Sequence, residues 1–235
     1  MKPIRIAKAL SNYGACSRRQ AEVLISESRV KVNGHILTSP VYLVTSLDKI
    51  YVDGVIVSKS TQTRLWKYFK PKGVITSHKD NFGRTTLFEI LPKDIGRVIS
   101  IGRLDYNTEG LILLTNNGGL ARKLELPATQ LKRIYLCKAH GAMPKNMIKE
   151  LFKGIEVNQV QYGSIIVELY KKQGSNSWYK ITLYEGKNNE IRNVFAHFKL
   201  QVSRLIRTDY GDYSAHDMKS EHLIELDYEK FSKYL

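Results

Sequence analysis

The spacing of apolar and polar positions divides the chain into two differently patterned regions. Near the N-terminus Ile6, Ala9 and Leu10 fall at i, i+3 and i+4, one stripe of a helix that Gly14 ends. Ser17 followed by Gln20 has the form of a capping box and starts a second helix carrying Ala21, Leu24 and Ile25. The period then shortens to two. Val30-Lys31-Val32 meets Asn33-Gly34 and Ile36, and Ile50-Tyr51-Val52 meets Asp53-Gly54 and Val55-Ile56-Val57. Both turn dipeptides favour the left-handed backbone of a type I′ hairpin. Residues 1–60 therefore predict a small α+β module. Residues 58–64 are polar and aperiodic, which predicts a linker, and residues 65–235 form a second region.

That second region predicts many short strands. Leu65-Trp66-Lys67-Tyr68-Phe69 reads as a strand stopped at Lys70-Pro71-Lys72-Gly73, and Val74-Ile75-Thr76-Ser77 resumes extended structure. Arg97-Val98-Ile99-Ser100-Ile101 is a further strand, ended by Gly102. The polar, turn-rich residues 102–110 predict a loop, followed by the short buried strand Leu111-Ile112-Leu113-Leu114-Thr115. Asn116-Asn117-Gly118 then turns the chain into a helix with Leu120, Ala121, Leu124 and Leu126, stopped by Pro127. Polar loops held between strands are favoured places for functional groups. On pattern alone Asp105 fits a catalytic carboxylate or a turn-former that satisfies nearby N–H groups.

Charge narrows the function. Lys and Arg number 37 against 22 Asp and Glu, a net charge of +15 and a pI near 9.7, in a chain of ordinary hydrophobic content. Such an excess favours a polyanionic partner, most often nucleic acid. No apolar run approaches the roughly 20 residues that span a bilayer, and charges break any signal-peptide core at the N-terminus. Two cysteines, Cys16 and Cys137, are too few for a disulfide framework and fit a reducing cytoplasm. Seven of the basic residues and only two acidic ones lie within residues 1–34, whereas residues 35–60 are balanced. Arg18 and Arg19 occupy the first turn of their helix, where the dipole disfavours cations. Two guanidiniums beside free helix N–H groups make a phosphate cradle.

The combination Ala7-Lys8-Ala9-Leu10, Gly14-Ala15-Cys16-Ser17-Arg18-Arg19-Gln20-Ala21-Glu22, Arg29-Val30-Lys31-Val32-Asn33-Gly34 and Asp48-Lys49-Ile50-Tyr51-Val52-Asp53-Gly54 resembles the S4 RNA-binding domain. The resemblance implies that Lys8, Arg18, Arg19 and Lys31 contact structured RNA. In the second region, Gly102-Arg103-Leu104-Asp105 with Asn107-Thr108-Glu109-Gly110-Leu111 and Leu113-Leu114-Thr115-Asn116-Asn117-Gly118 resembles the catalytic signature of the RsuA/RluB-type pseudouridine synthases. Lys70-Pro71-Lys72-Gly73, Gly83-Arg84-Thr85-Thr86, Leu126-Pro127-Ala128-Thr129 with Arg133 and Tyr135, Glu185–Arg192, and Val202-Ser203-Arg204-Leu205-Ile206-Arg207 are similar to further motifs of that family, in order. The fold this implies is α+β, an S4 module before a catalytic domain on a mostly antiparallel sheet.

What the resemblance implies chemically is isomerisation of uridine to pseudouridine in ribosomal RNA, the large-subunit RNA being favoured and the small-subunit RNA the alternative. The C1′–N1 bond breaks, the base turns and C1′–C5 forms. No atom is lost, so neither cofactor nor metal is required, and the chain shows no metal-ligand spacing, P-loop or dinucleotide fingerprint. By the match Asp105 is the catalytic carboxylate, Arg192 pairs with it, Tyr135 stacks on the extruded base and Leu205 lines the pocket. Arg103, Arg133, Arg204 and Arg207 are expected to contact RNA, and the enzyme to act as a cytoplasmic monomer. Asn189, Glu190 and Asn193 stand where family members commonly carry Arg, Gln and Arg, which removes positive charge near Arg192. Two other readings are a non-catalytic RNA-binding ribosome-assembly factor and a glycosidase using Asp105 with Glu109, the latter opposed by the basic surface.

Overall fold

The computed structural model describes residues 2–58 and 62–235. The N-terminal part contains β1 (Ile4–Arg5), α1 (Ile6–Asn12), α2 (Arg18–Ser26), β2 (Val30–Val32), β3 (His35–Ile36), β4 (Leu43–Val44), β5 (Ile50–Val52) and β6 (Val55–Val57). The Ser17–Gln20 capping box forms in both directions, which starts α2 where the sequence places it. Asn33 and Gly34 have φ of 51° and 87°, and Asp53 and Gly54 51° and 79°, so both turns take the left-handed backbone that closes tight hairpins. The strands order β3-β2-β5-β6, and a small core of Ile6, Ala9, Leu10, Ala21, Ile25, Val30, Val32 and Ile50 packs between sheet and helices. The expected linker is described only in part, since residues 59–61 lie outside the described residues. Its end is anchored: Arg64 donates its backbone N–H to Asn116 Oδ1 at 2.9 Å, and its guanidinium grips both oxygens of Glu225.

The rest of the chain comprises β7 (Leu65–Lys70), α3 (Leu87–Ile90), β8 (Ile99–Ile101), β9 (Glu109–Thr115), α4 (Gly118–Glu125), β10 (Arg133–His140), α5 (Lys145–Lys153), β11 (Ile155–Val157), β12 (Val160–Tyr162), β13 (Ile166–Gln173), β14 (Asn176–Leu183), α6 (Glu190–His197), β15 (Val202–Tyr210), β16 (Tyr213–Ser214) and β17 (Leu223–Leu226). A nine-stranded sheet runs β13-β14-β10-β15-β9-β7-β17, with β8 also on β9 and β16 on β15. Among the strands of the described residues, only β9 and β15 pair in parallel. Alternate residues of β10 and β14 (Tyr135, Cys137, Tyr179, Ile181, Leu183) join Trp66, Tyr68, Val194 and Phe195 in one core. At the other end of the sheet the opposite face packs on α4 through Leu111, Leu113, Leu120 and Leu124.

Three expectations change. Residues 74–77 form no strand; Ile75 makes a single bridge to Thr86, because the segment turns back at once under the loop of 102–108. The strand expected over 97–101 begins only at Ile99. Glu109 and Gly110, read as loop, already belong to β9.

One edge of β9 is covered by β7 along its length, from Thr115 opposite Leu65 to Gly110 opposite Lys70. The other edge is shared. β15 pairs with Glu109 and Gly110, while β8 pairs with Leu113, Leu114 and Thr115. The sheet thus forks between β15 and β8, and the loop 102–108 bridges the fork.

Candidate active site

The loop that carries Asp105 is short and polar, yet its backbone is held from several sides. Gly102 donates its N–H to Glu125 Oε1 at 2.6 Å. Thr76 Oγ1 both donates to Leu104 O and accepts from Leu104 N–H, at 2.9 and 3.2 Å. Gly73 N–H reaches Tyr106 O at 2.9 Å, and Thr108 N–H closes the turn onto Asp105 O at 3.0 Å. Arg192 Nη2 donates to Asn107 O at 2.8 Å. With its backbone groups satisfied this way, the loop leaves the Asp105 side chain free to project.

Asp105 projects into a cleft of about 470 Å³ at the fork, whose lining includes Arg103, Tyr135, Leu205, Arg133, Arg207 and Arg192. A second, shallower cleft of about 600 Å³ shares Arg103, Leu104, Asp105, Asn188, Asn189 and Arg192 with it and extends to the exposed loop of Asp80, Phe82 and Arg84. Asp105 therefore stands at the junction of a deep recess and an open groove. Tyr135 and Leu205 come from neighbouring strands, β10 and β15, at positions whose side chains face the recess.

Arg192 differs from its expected pairing. Its guanidinium donates to the backbone carbonyls of Asn107 and Val202, and Asp105 has no ion pair among the described residues. The planar fork of Arg suits two carbonyls on separate elements, so Arg192 ties the Asp105 loop to β15 rather than neutralising the carboxylate. The cation whose charge reaches Asp105 is one that the motif reading quoted but gave no role. Lys70, fully buried at the end of β7, donates Nζ to Pro71 O at 2.9 Å and to Val74 O at 2.5 Å. Burial pushes its ammonium down to about 8, against the pull of the Asp105 and Glu109 charges. A Lys closing an apolar strand just before Pro was the available signal.

Two expected RNA-contacting arginines lie inside the protein. Arg207 is 2% exposed and Arg133 8%, because odd positions of β10 and β15 face the core. Arg207 Nε donates to Leu111 O at 2.7 Å, capping a β9 carbonyl that neither β15 nor β8 reaches. Both guanidiniums lie 5.0 Å from the Tyr210 ring, and Arg133 Nη2 donates to the Tyr210 hydroxyl. They build the recess wall and are withdrawn from any phosphate on the outer surface. Arg204 faces the other side of β15 and clasps Glu109 with bonds of 3.0 and 2.9 Å, which also removes Glu109 as a second free carboxylate. Lys8, Arg18, Arg19 and Lys31 are exposed on the N-terminal module, and Arg103 at the cleft.

At the N-terminus of α6, Glu190 is 4% exposed and accepts from Lys187 N–H, while its Oε1 has no partner. Burial pushes its carboxyl up to about 7, helped by the neighbouring Glu185 charge. Its folded-state value lies above the ordinary 4.5, so its contribution to stability is complete below pH 4.5 and is lost as pH rises through about 7. Glu190→Gln keeps the acceptor for Lys187 and removes the buried charge. The variant is expected to be more stable than wild type at pH 8 by up to about 3 kcal/mol and nearly equal at pH 4, read by urea unfolding.

Comparison with known proteins settles the family. The family model described as RNA pseudouridylate synthase matches residues 65–197, and the S4 domain model matches residues 4–50. The chain belongs to the RNA pseudouridylate synthases. A relative from Rickettsia bellii, named an uncharacterized RNA pseudouridine synthase, is 48% identical over 94% of this chain and 96% of its own length. The Yersinia pestis protein named ribosomal large subunit pseudouridine synthase B is 35% identical, covering 97% of this chain and 79% of its own. A solved pseudouridylate synthase shares the fold with a TM-score of 0.71 and 23% identity, over 99% of this chain and all of the other. The synthase thus joins an S4 domain to a mixed α/β catalytic domain on a mostly antiparallel sheet.

Proposed function

We propose that the synthase converts a uridine of large-subunit ribosomal RNA to pseudouridine, with Asp105 as the group that acts at C1′. The observation that carries this reading is the placement of one carboxylate, on a clamped loop, at the junction of a deep recess and an open groove. The recess takes the extruded nucleoside, and the groove takes its flanking strand. Extrusion costs a few kcal/mol of lost stacking, and the Tyr135 ring recovers part of it. As the C1′–N1 bond breaks, positive charge grows at C1′ within reach of the Asp105 carboxylate. The base then turns and C5 bonds C1′; the C5 proton leaves and N1 is protonated, so the isomerisation balances without an added reagent. Arg192 acts as a positioning residue that keeps the loop in register, and the charge of buried Lys70 interacts with that of Asp105. Leu205 supplies the apolar floor.

The large-subunit assignment is supported by the relatives that carry that name. The experiment incubates the synthase with unmodified large- and small-subunit ribosomal RNA and maps pseudouridine chemically. Site-specific conversion in the large-subunit RNA supports the proposal. Conversion only in the small-subunit RNA overturns the substrate, and conversion in neither overturns the catalytic reading in favour of an RNA-binding assembly factor.

Residues 1–60 serve in this proposal as the RNA-holding module and residues 65–235 as the catalytic one. Arg18 and Arg19 stand exposed at the start of α2, where no acidic side chain occupies the first turn. Changing both to Ala is expected to weaken RNA binding and flatten its log–log salt dependence by about one to two units. An unchanged slope removes the phosphate cradle.

A further inference from the structure

The face of the sheet turned away from the cleft carries a row that the reaction does not use. Along β10 the residues between the buried ones, among them Lys138, point to this face, and along β14 so does Trp178. The register puts Lys171, Trp178, Lys138 and Arg204 opposite one another, one rung across β13, β14, β10 and β15. Lys138 Nζ lies 5.9 Å and Lys171 Nζ 5.8 Å from the Trp178 ring centroid, each on a strand flanking the indole. The indole Nε1–H donates to Gln173 Oε1 at 3.2 Å, which restrains the ring. α4 covers the opposite end of this face but leaves the rung half-open.

The charges there are unbalanced. Arg204 is engaged by Glu109, and Lys180, a neighbour on β14, lies 4.0 Å from Glu168. Lys138 and Lys171 have no carboxylate partner among the described residues. Ammonium groups on either side of a half-exposed, restrained indole suit a polyanion whose units also carry flat aromatic faces. An acidic peptide matches the charge and leaves the indole without a stacking partner.

We propose that this rung is a second RNA-docking surface, on the side of the sheet opposite the cleft, taking an unpaired base on Trp178 and its flanking phosphates on Lys138 and Lys171. It rests on RNA being the substrate class. The surface holds a single-stranded segment at a distance from the modified uridine, so the synthase grips its substrate from both sides of the sheet.

Tryptophan fluorescence tests the surface directly. The chain has two tryptophans, and Trp66 is 3% exposed, so a ligand-induced quench reports Trp178. Oligoadenylate is the probe, since it offers no uridine to the cleft. It is expected to quench the wild-type emission. The double variant Lys138→Gln/Lys171→Gln should bind about tenfold more weakly, with a log–log salt slope smaller by about 1.4 units. Trp178→Phe should abolish the quench while the protein still converts ribosomal RNA. No quench by oligoadenylate, or an unchanged affinity in the double variant, overturns the proposal. A quench by polyglutamate without one by oligoadenylate overturns it in favour of an acidic protein partner. Wild-type conversion of ribosomal RNA without the quench sinks only this surface, whereas the quench without conversion sinks only the catalytic reading.

Discussion

Asp105→Asn is expected to lower the single-turnover rate of pseudouridine formation at least about a thousandfold while RNA affinity stays within about threefold. The substitution is nearly isosteric, and the bonds that clamp the loop use backbone groups, including Thr108 N–H on Asp105 O at 3.0 Å. The loop therefore keeps its shape. What disappears is the negative charge at C1′ and the anionic oxygen that can bond it. The charge balance with Lys70 also changes: the Asp105 charge raises the Lys70 value, so its removal lowers that value further below 8. Rate and binding are to be measured on the same large-subunit RNA. A variant that still converts the uridine at more than about a tenth of the wild-type rate removes Asp105 from the chemistry.

Gly110→Ala is expected to prevent the catalytic domain from folding or to cost more than about 4 kcal/mol. Gly110 has φ of +104° and lies where β15 crosses β9. A Cβ there would sit 2.2 Å from the Arg207 carbonyl oxygen and 2.8 Å from its nitrogen. Both are backbone atoms of a paired strand, so neither can swing away as a side chain would. The parallel β9–β15 pairing would have to open, and with it the fork that supports Asp105. Gly83→Ala is the control, with φ of +71° and nothing within 4 Å of the added carbon. It should cost only about 1 kcal/mol, the strain of the backbone conformation alone. Similar melting temperatures for the two variants would show that the close approach does not limit stability.

Much of the architecture was legible along the chain because local chemistry dictates it. The Ser17–Gln20 box, the Asn33-Gly34 and Asp53-Gly54 turns and the Asn117 cap of α4 each satisfy their own backbone within a few residues. Such features need no knowledge of distant partners. Asp105, Tyr135 and Leu205 were grouped only through family motifs, since they are far apart in sequence; in the fold all three line the cleft at the fork.

Composition and short-range pattern alone determined that this is a basic α+β protein with a capped two-helix module ahead of a strand-rich region. Only the tertiary structure decided which charges are available. Arg133, Arg204 and Arg207 read alike along the chain, yet two are buried against Tyr210 and the third is bound to Glu109. Arg192 was expected on Asp105 and instead holds two carbonyls, while Lys70 takes its place as the nearby cation. The reason is that burial and pairing depend on which strand face a residue occupies and which strand lies beside it. Those relations are set by non-local registers such as β9 against β15, which no local pattern encodes.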